Sequence, residues 1–122
     1  MKRDMNLART ILLTLAESEK PIDASSIAST EYPPKMVGYH FQILDEAGLI
    51  VASVRAADND PYYFAMASRL TWDGNDFLDS IRDDLIWKRA SSTIGKATGG
   101  ASLDVVKTVA SSLVLETIKP AL

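Results

Sequence analysis

The sequence predicts a mainly helical α+β protein built around one β-hairpin. Three observations carry that prediction. Apolar residues recur at spacings of three and four over residues 5–18 and 34–47, the period falls to two over residues 50–56 ahead of a turn and an aromatic, apolar run over 62–70, and helical spacing returns after Thr71. With 122 residues, 47% of them hydrophobic and 24% charged, the chain is large enough for a single buried core. Six Gly, five Pro and no Cys exclude collagen-like and disulfide-stapled classes. No apolar run reaches the roughly 18 residues needed to span a bilayer. The opening Met1–Thr10 lacks the apolar stretch of a signal peptide. A soluble, cytoplasmic protein with no membrane partner is therefore expected.

The elements follow in order. Asp4 is positioned to cap a helix whose stripe is Met5, Ala8, Ile11, Leu12, Leu15 and Ala16, and Pro21 ends it. A short helix at about 24–29 follows, capped by Asp23, with Ala24, Ile27 and Ala28 facing inward. Pro34 suits the first turn of a third helix running to about Ala47, which Gly48 terminates; Val37, Phe41 and Leu44 share its inner face. Ile50, Ala52, Val54 and Ala56 alternate with Val51, Ser53 and Arg55, as a half-buried strand requires. Asp58-Asn59-Asp60-Pro61 is turn chemistry, and Tyr62–Leu70 reads as the return strand.

Thr71 is the next cap, opening one long helix to about Arg89 that buries Gly74, Phe77, Leu78, Ile81 and Leu85. Trp72 and Trp87 read as core and cap aromatics. Residues 91–100 (SSTIGKATGG) form a small-residue linker, and residues 101–118 a C-terminal helix with Leu103, Val106, Ala110 and Leu113 on one stripe. The domain plan is thus residues 1–90, a linker, and a terminal helix over 101–122.

Helix, short helix, helix and hairpin, in that order, describe a winged helix-turn-helix, here with an additional long helix and a C-terminal helix. The run Tyr39–Ile50 resembles the HL–x–x–L–x–x–A–G–L segment of arsenic-repressor-like winged helices, which implies that Phe41, Leu44 and Leu49 are core. Leu70-Thr71-x-x-Gly74-x-x-Phe77-Leu78 is similar to the junction that follows the wing in many such domains. More specifically, Met1–Met5, Leu70–Gly74 and the run Phe77-Leu78-Asp79-x-Ile81-Arg82-Asp83-Asp84-x-x-Trp87 resemble a family of small bacterial and prophage proteins, domain of unknown function 2513. That likeness covers residues 1–90 and implies no activity.

Charge limits the functional classes. Thirteen Lys and Arg face sixteen Asp and Glu, a net charge of −3, so no global basic field draws the chain to nucleic acid. Double-stranded DNA remains the first expected partner through a local patch. The helix over 34–47 offers Lys35, Tyr39, His40 and Gln42, and the wing offers Arg55. Asp45, Glu46, Asp58 and Asp60 oppose that patch. The winged-helix reading implies a transcriptional regulator of prophage or mobile-element genes, working as a homodimer joined through Leu103, Val106, Ala110 and Leu113.

The alternative is a protein-docking winged helix that uses Met36, His40 and Ile43 together with the acidic 73–84 face. One His and no Cys exclude a structural zinc site, and no nucleophile–base spacing appears, so neither catalysis nor a cofactor is expected. Asp76, Asp79 and Asp83 share a helical spacing that a hard cation could use, but a solvated face with Arg82 and Lys88 interleaved accounts for them better, and a docking patch is the next reading before a metal. Gly95-Lys96 lacks the order of a phosphate loop.

Overall fold

The computed structural model describes residues 1–90, which divide into a compact unit of Met1–Asn75 and a second unit that begins at Asp76. The linker expected over 91–100 and the helix expected over 101–118 lie outside the described residues. Within the first unit the order is α1 (Met5–Glu17), β1 (Ile22–Asp23), α2 (Ala24–Ile27), α3 (Pro34–Glu46), β2 (Ile50–Ala57) and β3 (Asp60–Leu70). The architecture is α+β, with one three-stranded antiparallel sheet in the order β1-β3-β2.

Asp4 caps α1 as its position predicts: one carboxylate oxygen accepts the N–H groups of Asn6 and Leu7 at 2.9 and 3.1 Å. The buried stripe is Leu7, Ala8, Ile11, Leu12 and Leu15, rotated slightly from the expected one. Leu7 joins the core, Met5 is half-buried and Ala16 faces solvent. Helix α2 is a single turn, shorter than expected, in which Ala24 is buried while Ile27 and Ala28 are half-buried. The Asp23 carboxylate accepts both the hydroxyl and the N–H of Ser25 at 2.7 Å. Those bonds, the hydroxyl first, hold it below the usual carboxylate range.

Helix α3 begins with Pro34 in its first turn and buries Val37, Gly38, His40, Phe41 and Leu44. Its end is a Schellman motif. Leu49 N–H reaches back to the Leu44 carbonyl at 3.0 Å and Gly48 N–H to Asp45 at 2.9 Å, with Gly48 at φ +78°. A side chain at Gly38 would sit 2.9 Å from the Tyr62 Cβ and 3.4 Å from that of Ala65. The absence of one lets α3 lie directly on β3.

The sheet holds one strand that alternation could not reveal. β1 has two residues, Ile22 and Asp23, paired with Ala67 and Met66 of β3. Ile50, Ala65, Ala67 and Leu70 form the buried face of the sheet. Pairing of β2 with β3 steps from Val51↔Arg69 to Ala52↔Ala67, so Ser68 is a bulge. Asp58 and Asn59 make the hairpin loop, and Asn59 takes the left-handed conformation (φ 62°) that Asn tolerates better than most residues.

Thr71 closes the junction after the hairpin. Its N–H donates to the Leu49 carbonyl at 3.0 Å, its hydroxyl donates to the Gly48 carbonyl, and the same oxygen accepts Gly74 N–H at 3.0 Å. Trp72, expected to be buried, is 82% exposed, because as the first residue of α4 (Trp72–Ile81) it points away from the Gly74 side that meets Leu49.

The second unit corrects the long helix expected from Thr71 to Arg89. Helix α4 stops at Ile81 and a separate helical segment occupies 84–90. Asp83 is the reason for the restart. Its carboxylate accepts the N–H groups of Leu85 and Ile86 at 2.9 and 3.0 Å, the signature of a new N-cap. The phase of the apolar stripe changes with it: Leu85, expected in the core, is 68% exposed, while Ile86, Trp87 and Ala90 are buried. The Asp76–Asp79–Asp83 spacing is therefore not one helix face.

Candidate nucleic-acid interface

Of the residues expected to contact DNA, Lys35 and Gln42 are exposed on α3 and Arg55 is exposed on β2. Lys35, Tyr39, Gln42 and Glu46 follow one another at spacings of four, three and four, so they form one stripe along α3. Tyr39 is half-buried. Its ring stands edge-on to His40, with centroids 5.5 Å apart, and to Tyr62 of β3, at 6.3 Å. Those two contacts fix the ring and leave its outer part on the stripe. The Arg55 guanidinium lies 5.6 Å from the centroid of the Phe64 ring, which holds the cation over the hairpin while Arg55 stays exposed.

His40 is corrected. It is fully buried, and both ring nitrogens are occupied. Nε2 accepts the Asp4 N–H at 2.8 Å, so it carries no proton, and Nδ1 donates to the Met36 carbonyl at 2.8 Å. Burial pushes the imidazole pKa down, opposed by the Met36 carbonyl and by Asp4. A neutral ring bonded on both sides cannot read a base edge; His40 instead ties the start of α1 to α3. The lone-histidine count alone could not reveal this, because the partner residue is 36 positions away. Tyr32 belongs to the same corner: burial first, then the carboxylates of Asp4 and Glu31, push its hydroxyl up to about 12.

The acidic residues divide into two kinds. The Asp45 carboxylate turns back to accept Ala52 N–H at 3.0 Å, binding the end of α3 to β2. Glu46 remains exposed on the stripe. Together with Gln42, Ala52, Ser53 and Val54 they line a polar groove of about 340 Å³ between α3 and β2. The groove makes the α3 stripe and the hairpin one continuous surface.

Met36 and Ile43, expected on the alternative docking face, are half-buried, since they flank the inner stripe of α3. The residues that sequence reasoning missed are aromatic. Tyr63 is 73% exposed and Phe64 is 41% exposed on β3, where the Tyr62-Tyr63-Phe64 run was read only as a strand signal. Leu103, Val106, Ala110 and Leu113 lie outside the described residues. Among the described residues no group of three or more His, Cys, Asp or Glu is placed to hold a metal ion. None of their helices is long and apolar enough to cross a membrane.

Comparison with known proteins places the chain beside a family model and a curated relative. A family model described as "Hypothetical protein (DUF2513)" matches residues 2–101. An "Uncharacterized protein" of Haemophilus influenzae is 37% identical over 116 residues, covering 93% of this chain and 96% of the relative. No solved structure matches.

Proposed function

The chain belongs to the DUF2513 family, and from that premise and the geometry of α3 we propose that it is a winged helix-turn-helix protein that binds duplex DNA as a cytoplasmic transcriptional regulator. The observation that carries the reading is the α1-β1-α2-α3-β2-β3 order with its β1-β3-β2 sheet. It leaves Lys35 and Gln42 exposed, with the half-buried Tyr39 between them, beside a hairpin that carries Arg55. In this reading α3 enters the major groove, where Lys35 meets phosphate and Gln42 reaches a base edge, and Arg55 rides on Phe64 at the flank. The C-terminal residues 101–118 join two copies, matching a two-fold operator.

The test is fluorescence anisotropy of the full chain against random duplex DNA, from low to physiological salt. Binding that weakens steeply with salt is expected, and Lys35→Glu or Arg55→Glu should abolish retention and leave the thermal melt unchanged. Equal retention by both variants overturns the assigned face. A second reading, a winged helix that docks a protein, is favoured by one observation: the α3–β2 groove is lined by Asp45 and Glu46, which phosphates would avoid.

A further inference from the structure

We infer that the outer edge of β2 is a docking edge for an extended, Lys- or Arg-bearing segment of a partner protein, which adds to the sheet as a fourth strand beside Glu46. The inference is independent of DNA binding and starts from the sheet order. β3 is the middle strand, so among the described residues β2 has a strand on one side only. In an antiparallel ladder, residues alternate between pointing both backbone polar groups at the partner strand and pointing both away. Ala52 N–H points away, since it donates to the Asp45 carboxylate at 3.0 Å. Val54, two residues on, shares that phase, and so does the Ala52 carbonyl.

The groove geometry agrees. Three consecutive β2 residues, Ala52, Ser53 and Val54, line it, so it exposes the strand's backbone edge and not one face of the sheet. Its opposite wall is the end of α3, with Gln42 and Glu46. A volume of about 340 Å³ suits a few residues of extended chain.

Charge selects the occupant. The strand IVASVRAA has a single charged residue, Arg55, at the far end of the edge, and β2 contains no Pro or Lys of the kind that blunts unpaired edges. Among the described residues the device against pairing is Asp45, which occupies the Ala52 N–H and does not reach Val54, whose N–H and C=O share the outward phase. The groove's own charges are two carboxylates, of which Asp45 is already engaged and Glu46 is exposed. A segment whose backbone pairs at Val54 directs alternate side chains toward α3, and a cation there meets Glu46.

The experiment uses the full chain without DNA and two labelled octapeptides, one alternating Val with Lys and one alternating Val with Glu. Saturable binding of the Lys peptide, with none of the Glu peptide, is expected by anisotropy. Val54→Pro removes the outward N–H without touching the ladder to β3, since an edge strand accepts Pro where its N–H faces solvent. It should weaken the Lys peptide by about tenfold, as should Glu46→Lys, whose position on the surface of α3 leaves folding intact.

Full affinity in Val54→Pro, with loss only in Glu46→Lys, would mean charge adhesion without strand pairing and overturns the inference. So does equal binding of both peptides, or no saturable binding of either. Sedimentation velocity covers the remaining occupant. Self-association that Val54→Pro abolishes, and that the Lys peptide cannot displace, assigns the edge to a second copy and overturns the partner reading.

Discussion

Replacing Gly74 by Ala tests the junction that ties the hairpin to α4. A Cβ at Gly74 would overlap the Leu49 carbonyl oxygen outright and lie 2.9 Å from the Leu49 carbonyl carbon and 3.4 Å from its Cα. All three atoms are backbone, so no side chain can swing aside. Leu49 is also held from both directions, its N–H on the Leu44 carbonyl and its own carbonyl on Thr71 N–H, each at 3.0 Å. Overpacking against a fixed neighbour costs about 1–3 kcal/mol, and losing the Thr71–Leu49 hydrogen bond adds about 1 kcal/mol. Ala is the better helix former by about 1 kcal/mol, which offsets part of this. The net is about 1–3 kcal/mol of lost stability, or a fall in Tm of about 5–20 °C for a unit of this size. Thermal melts by circular dichroism, with urea midpoints as a second measure, read the effect. Asn75→Ala is the control: the residue is exposed and donates only one side-chain bond, to the Thr71 carbonyl at 3.0 Å, so its shift should stay within about 1 kcal/mol. A Gly74→Ala protein that melts at or above the wild-type temperature refutes the close approach of α4 to Leu49.

Three further outcomes are expected. Because burial holds His40 below its ordinary pKa of 6.5, the unfolded chain binds the proton more readily than the folded one. Stability is then fully present above pH 6.5 and falls as pH drops toward the folded pKa, by at most about 1.4 kcal/mol per pH unit. Urea unfolding at pH 7.5, 6.5 and 5.5 should show that slope, and His40→Gln should flatten it; a slope unchanged in the variant removes His40 as its source. Asp83→Ala deletes the cap on Leu85 and Ile86 and should cost about 1 kcal/mol, with loss of helical signal from the 84–90 segment; an unchanged urea midpoint would show that the restart does not depend on the carboxylate. Asp45→Ala leaves the outward Ala52 N–H without its acceptor, so amide hydrogen exchange at Ala52 should quicken while the amides of β3, the middle strand, hold their protection.

Most of the local architecture was legible because it is encoded over short distances. The Asp4 and Thr71 caps, Pro34 in the first turn of α3, Gly48 in its left-handed position and the two-residue period of β2 each depend on a handful of neighbours, and each stands where the sequence put it. What depends on distant partners was not legible. β1 exists only because Ile22 and Asp23 find Ala67 and Met66, and two residues are too few to show alternation. Helical spacing ran on through Arg82, but the Asp83 carboxylate competes for the N–H groups ahead of it and starts a new helix with a shifted apolar phase. Lys35, Gln42 and Arg55 were correctly placed on the surface, since their side chains need water on at least one side. His40 went the other way. An imidazole can be buried when each ring nitrogen has a partner, and its partners are the Met36 carbonyl one turn back and the Asp4 N–H from another element. Sequence determined by itself where α1, α3 and the hairpin lie, because periodicity and caps are local. Only the tertiary structure decided that His40 is buried and that, among the described residues, the outer edge of β2 has no strand beside it, because burial and hydrogen-bond satisfaction belong to the assembled chain.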